Sequence, residues 1–180
     1  MKQKKRIALD MDEVMADVMP KFEAIYEREF GVSIGKEDYW GKKIYHLENA
    51  AYIRDFLHHK GFFADLPVMP GSQEAVRELM EDYEVFITTA AMEFRASLED
   101  KFDWLKENFP FIPWTNVVFC GDKSVIRADY MVDDHPYNLR KFEGKGLLFT
   151  ATHNIDETEF TRVDNWEEVR AFFRRERKQS

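Results

Sequence analysis

The chain has 180 residues, room for one domain or for one domain with a sizeable insertion. Its 44% hydrophobic and 15% aromatic residues exclude a disordered chain, and the absence of any run of about 18 apolar residues excludes a membrane span. The net charge of −8 repels long polyanions and argues against binding nucleic-acid polymers, while a small phosphate ester stays compatible because a local cation overrides the global field.

The single cysteine, Cys120, cannot form an internal disulfide and is expected as a buried small hydrophobe. The basic start at residues 1–6 leads into an apolar stretch broken by Asp10 and Asp12, which is no secretory leader, and the lone cysteine points to a reducing, cytoplasmic location.

Residues 6–11, short and apolar with an acidic end, are the first predicted strand. Helical patterns follow over 15–30 and 50–60, among many aromatics. Residues 15–70 are therefore expected to be a mostly helical cap inserted after the first strand, with 1–14 and 71–180 forming the core. A helix over 72–82 opens on Ser72 as candidate N-cap and places Ala75, Val76, Leu79 and Met80 on one face.

Strand 84–89 comes next, then a helix within 94–109 with Leu98, Phe102 and Leu105 inward, stopped by Pro110. Strands at 116–120, 128–133 and 146–150 and a last helix from 165 or 166 to 175 complete the chain. Alternating strands and helices predict an α/β fold with a mainly parallel sheet of five strands.

In an open α/β sheet, ligands bind at the carboxyl ends of the strands, and the candidate chemistry of this chain collects there. Asp10 and Asp12 end the first strand. Two converging carboxylates need a shared cation or proton, so they fit either a metal site or a nucleophile paired with an acid/base. Asp133 and Asp134 end another apolar run and, with Asp10, offer the oxygen-rich surroundings that Mg²⁺ prefers.

Thr88 and Thr89, followed by small Ala90 and Ala91, leave room for an anion, which Lys123 neutralises as a point charge. Together these groups supply what phosphoryl transfer through an aspartyl-phosphate requires. His135, His153 and the His58–His59 pair lack zinc-site spacing and are expected at turn or solvent-facing positions.

The segments DMDEV (10–14), FITT (86–89), Lys123 and MVDD (131–134) resemble the four motifs of the haloacid dehalogenase-like phosphatase superfamily. GFFADLPVMPG (61–71), KFDW (101–104), ADYMVDDHP (128–136) and LFTATHN (148–154) extend the resemblance to the 5'(3')-deoxyribonucleotidase family, over roughly residues 6–170. The resemblance implies a Rossmann-like core with strand order 3-2-1-4-5.

It further implies Asp10 as nucleophile and Asp12 as acid/base. Mg²⁺ would be held by Asp10, the Asp12 carbonyl and Asp133 or Asp134, and phosphate by Thr89 or Thr88 with Lys123. Tyr39, Trp40, Phe62 and Phe63 are implied base-stacking residues, with Tyr45 and Arg95 as weaker candidates. The implied substrate is a deoxyribonucleoside monophosphate and the implied assembly a homodimer.

The chain departs from the family pattern at Glu13, usually Gly, at Ala90, often a hydroxyl residue, at Gly121, basic in mammalian relatives, and at Val18, where an aromatic is usual. These changes leave another small phosphate ester, such as a sugar phosphate, as the alternative substrate. A non-catalytic domain that kept the fold is the third reading, and the presence of Asp10, Asp12 and Lys123 speaks against it.

Overall fold

The computed structural model describes residues 4–179. Six parallel strands form one sheet: β1 (Arg6–Leu9), β2 (Glu84–Thr89), β3 (Val117–Phe119), β4 (Tyr130–Asp133), β5 (Lys145–Phe149) and β6 (Thr161–Val163). Their order is 3-2-1-4-5-6, so the expected order of five is present and extended by a sixth strand at the edge. In β6 only Val163 is buried, which is too little apolar pattern to mark a strand.

Five α-helices connect and flank the sheet: α1 (Met19–Phe30), α2 (Ser72–Asp82), α3 (Ser97–Asn108), α4 (Pro136–Lys141) and α5 (Trp166–Gln179). Alternation along the strands feeds two cores. Ile7 and Leu9 join a large cluster that continues into the segment between β1 and α2, while Ala8 packs on the other face with Met131, Leu148, Leu139 and Phe142. Among the described residues no helix is long and apolar enough to cross a membrane.

Local chemistry sets the helix ends. Gly71 takes φ 76° just before α2, and the Ser72 hydroxyl donates back to the Met69 carbonyl at 2.7 Å, so Ser72 is the first helical residue and not the expected N-cap. The buried face of α3 is Ser97, Asp100, Lys101, Trp104 and Leu105, whereas Phe102 is exposed. The expected apolar stripe is thus rotated, and the polar members of the true face serve the site described below.

The segment between β1 and α2 holds α1 and three short 3₁₀ helices, Lys36–Tyr39, Ile44–His46 and Ala51–His58. The helical pattern expected over 50–60 is therefore present with the tighter pitch, as in the Ile53 N–H to Ala50 bond. Two indole N–H groups pin the ends of this segment: Trp166 donates to Val14 O at 2.7 Å and Trp104 to Leu66 O at 2.8 Å. The two ends also meet each other, through Asp17 N to Pro67 O and Met69 N to Met15 O, both at 2.8 Å. The chain leaves and rejoins the core at one place, directly above the end of β1.

On the far side, Glu78 of α2 accepts from Arg174 at 2.6 and 2.8 Å and from Arg170 at 2.7 Å, clamping α2 to α5. Arg174 first, then Arg170, hold its carboxyl down from 4.5 to about 2. A depressed carboxylate stabilises the fold fully above its unfolded value and loses that contribution as pH falls through the folded one. Solvent reaches the clamp, so its contribution is about 1 kcal/mol or less. Glu78→Gln should therefore flatten the loss of urea resistance between pH 4.5 and about 2. Parallel curves for variant and wild type would exclude the clamp as its source.

Candidate active site

The carboxyl ends of β1, β2 and β4 meet at one point, and Lys123 lies at its centre, 1% exposed. Its ammonium is 2.6 Å from Asp10 Oδ1 and 2.7 Å from Asp133 Oδ2. Burial pulls the lysine towards neutrality, but Asp10 and Asp133 more than offset this and hold it charged. Asp10 Oδ1 also accepts the Met11 N–H at 2.8 Å. Among the described residues no donor reaches Asp10 Oδ2.

The chain after Asp10 folds into a tight turn in which Met15 and Ala16 both donate to Met11 O, at 2.8 and 2.9 Å. Glu13, at φ 58°, occupies the left-handed region, which accounts for Gly being usual there and costs a non-Gly residue about 1 kcal/mol. The turn presents two further carboxylates. Asp12 Oδ2 is 2.5 Å from Lys101 Nζ, and its Oδ1 is buried without a partner. Glu13 pairs with Lys43 at 3.3 Å.

Lys101 is the main residue that motif reading passed over. Its ammonium also donates to Thr89 Oγ1 at 2.9 Å and lies over the Phe63 ring at 4.4 Å. The cue was present in the KFDW piece at 101–104, but a lysine on an amphipathic helix reads as surface. Thr88 is turned away, its hydroxyl directed at Leu9 O at 3.4 Å. Both threonines are buried and neither lines the cavity; Ala90 does.

The adjacent acids of β4 separate cleanly. Asp133 is saturated: besides Lys123 it accepts from Asn138 at 3.0 Å on each oxygen and from the His135 N–H at 2.8 Å. Asp134 is equally buried, yet its Oδ1 has no partner. Burial, then Glu13, raises its pKa well above the usual carboxylate value, a state that a cation would relieve. One oxygen each from Asp10, Asp133 and Asp134 lies within 4.8 Å of the others. Five carboxylates (10, 12, 13, 133, 134) face three lysines (43, 101, 123), leaving a deficit that one divalent cation matches.

His153 departs from expectation, whereas His135, its side chain 43% exposed just ahead of α4, does not. His153 is not solvent-facing: its side chain is 10% exposed, with Nε2 3.3 Å from Asp134 Oδ2. His135 stacks on it at 4.6 Å and sits 3.0 Å from Lys43 Nζ. Burial, then Lys43, lowers their pKa values to about 4 for His135 and about 3 for His153. His58 and His59 are exposed as expected. Cys120 is half-buried, its Sγ 3.8 Å from Thr89 O, because β3 is an edge strand and leaves it partly uncovered.

A cavity of about 210 Å³ opens over Asp10, Asp12, Lys123 and Asp134. Its walls include Val18, Phe22, Leu57, Phe63 and Phe94, with Tyr45 and Arg54 as polar members. Of the four aromatics put forward from sequence, Phe63 alone lines it. Tyr39 is fully buried and donates to Glu23 at 2.5 Å, Phe62 packs on Phe22 at 5.2 Å, and Trp40, 56% exposed, borders a separate shallow pocket. Arg95 is exposed and Tyr45 lines the cavity.

The sheet order and the segment inserted after β1 are those of the haloacid dehalogenase-like fold. A hydrolase of that family from Streptococcus pneumoniae matches the fold with a TM-score of 0.62 over 96% of this chain and 100% of its own, at 15% identity. The chain belongs to the family described as "5' nucleotidase, deoxy (Pyrimidine), cytosolic type C", whose model matches residues 4–179, and so to the phosphoric monoester hydrolases. The 5'(3')-deoxyribonucleotidase of Bacillus subtilis strain 168 is 43% identical over 168 residues, 92% of this chain and 96% of that protein. The protein of the same name from Bacillus phage SPbeta matches equally.

Replacing Lys123 by Met leaves Asp10 and Asp133 as buried, uncompensated carboxylates. Urea denaturation should show a loss of about 3–5 kcal/mol. A loss below about 1 kcal/mol, within the range of a surface pair, would contradict the central role given to this lysine.

Proposed function

We propose that the protein removes phosphate from deoxyribonucleoside monophosphates in two steps through a phospho-aspartate on Asp10. The observation that carries this reading is the split use of the Asp10 carboxylate: Oδ1 is tied to Lys123 and Met11, while Oδ2 is left without a donor beside the cavity. Oδ2 attacks phosphorus as the bond to the nucleoside oxygen breaks. Asp12 gives that oxygen a proton, then takes one from the water that releases phosphate. Lys101 fixes Asp12 through Oδ2, which leaves Oδ1 to carry the proton, and Thr89 positions Lys101. Lys123 and Ala90 line the cavity where the phosphoryl group would sit.

The donor set fits Mg²⁺, a hard ion that takes carboxylate and carbonyl oxygens. Asp10, the Asp12 carbonyl and Asp134 would hold it, because Asp134 has the orphaned oxygen and Asp133 has none. Such an ion offsets charge on the phosphoryl oxygens. A Bacillus subtilis protein described as a HAD-hydrolase and solved bound to magnesium shares this fold, with a TM-score of 0.57 over 96% of this chain at 10% identity.

Residues 15–70 act in this reading as a cap over the core. Arg54 in the cap pairs with Glu93 beyond β2, and both line the cavity. Phe22, Phe63 and Phe94 supply apolar faces for a base. The deoxynucleotide assignment rests on the names of the relatives and on the family description.

Phosphate release should be measured on deoxy- and ribonucleoside monophosphates and on sugar phosphates, with Mg²⁺ or EDTA, for wild type and Asp10→Asn. The proposal requires Mg²⁺-dependent release from deoxynucleotides that the variant abolishes. Release from sugar phosphates alone would keep the mechanism and overturn the substrate.

The aromatic assignments separate by kinetics. Phe94→Ala should raise KM for nucleotides about tenfold, as loss of one stacking face implies, and spare p-nitrophenyl phosphate. Trp40→Ala should change neither. A nucleotide-specific KM effect from Trp40 would return it to the base pocket.

A further inference from the structure

The chemistry proposed above leaves one buried group without work. His153 is 10% exposed, and both its ring nitrogens lack a hydrogen-bond partner. Its Nε2 lies 3.3 Å from Asp134 Oδ2, and His135 Nε2 lies 3.5 Å from the same oxygen. These are long for charge-assisted hydrogen bonds, which run about 2.7–2.9 Å. They match the edge of a coordination tetrahedron, about 3.3–3.4 Å when metal–ligand bonds are about 2.0–2.1 Å. One ligand atom from each of Asp134, His135 and His153 lies within 4.8 Å of the others.

The frame around these three atoms is built, not incidental. Asn154 donates to the carbonyls of Asp134 at 2.7 Å and Phe149 at 2.8 Å, tying the loop that carries His153 to the end of β4. Stacking at 4.6 Å sets the two imidazoles side by side. Asp10, Asp133 and Lys123 flank the trio on the hydrolytic side, and on the other side stand Lys43, 3.0 Å from His135 Nε2, and Glu13, 3.8 Å from His153 Nδ1. Lys43 therefore places its ammonium where a cation is favoured, and Glu13, its partner at 3.3 Å, can keep it when it is displaced.

We propose that Asp134, His135 and His153 form a second cation site, selective for a borderline transition dication such as Zn²⁺ or Co²⁺. Two imidazoles and one carboxylate suit such ions and not Mg²⁺, which prefers oxygen throughout. The site meets the Mg²⁺ site at Asp134, whose Oδ2 faces the histidines while Oδ1 is the orphaned atom. It rests on the Mg²⁺ reading only in sharing that residue. Occupancy withdraws Asp134 charge from the hydrolytic site and displaces Lys43 from the cavity wall, so a transition dication inhibits the Mg²⁺-supported reaction.

The test is a Co²⁺ titration of the whole protein in excess Mg²⁺, followed by visible absorption, with no substrate present. Wild type should give the intense bands of a four-coordinate ion with nitrogen ligands. His135→Gln and His153→Gln should each weaken binding by about 100-fold or more, since the loss of even an outer-shell partner costs about 10–100-fold. Lys43→Gln should tighten it by removing the competing ammonium. His135 is half-exposed, so its variant decides the matter if the His153 variant fails the circular-dichroism check for folding. Absence of the bands in excess Mg²⁺, or equal bands in wild type and His135→Gln, would overturn the proposal, whether or not the protein proves to be a nucleotidase.

Discussion

A buried ammonium between two buried carboxylates is the constraint on which this molecule is organised. Lys123 reaches Asp10 at the end of β1 and Asp133 at the end of β4, and removing one partner of such a buried set leaves uncompensated charge. Both strands are central in the sheet, so the contact is made where neighbours on either side fix the backbone. The arrangement also divides the labour among the acids. Asp133 is consumed by structure, Asp10 keeps one oxygen free, and Asp134 keeps a buried oxygen without a partner.

The inserted segment depends on the same place in the fold. It leaves the core after the Asp10–Ala16 turn and returns at Met69, and Trp166 and Trp104 hold its two ends. Its apolar residues continue the large core cluster, so the cavity wall is an extension of the folding core. Polar contacts cross from it to the core beside the cavity: Arg54 to Glu93, Lys43 to Glu13, and the Gly61 N–H to Asp100 at 2.7 Å.

Much of this was legible in the sequence, for physical reasons. β2 and α2 match their expected bounds because a short apolar run and a full amphipathic period leave little choice. The acidic strand ends were visible because charge at the end of a buried strand demands compensation. β6 and α4, three and six residues long, carry too little periodicity to be seen.

Within the site, Asp133 and Asp134 could not be separated, since neighbours in sequence differ only in where the backbone aims them. Lys101 was missed and His153 was assigned to a turn or solvent-facing position because their neighbours in space, Asp12 and Asp134, are not their neighbours in the chain. Of the four aromatic candidates, Phe63 lines the cavity and Tyr39, Trp40 and Phe62 do not. Aromatic content says that a core exists, and only packing decides that Phe63 and Phe94 face the cavity while Tyr39 and Phe62 turn away from it.

The claim at the centre of this account is that Asp10 becomes covalently phosphorylated. Acid-quenching the enzyme during turnover, reducing with borohydride and mapping the peptides by mass tests it directly, because an acyl phosphate is reduced to the alcohol. The account predicts homoserine at position 10, with Asp12, Asp133 and Asp134 unchanged. Robust turnover with reduction at another aspartate, or at none, would contradict it.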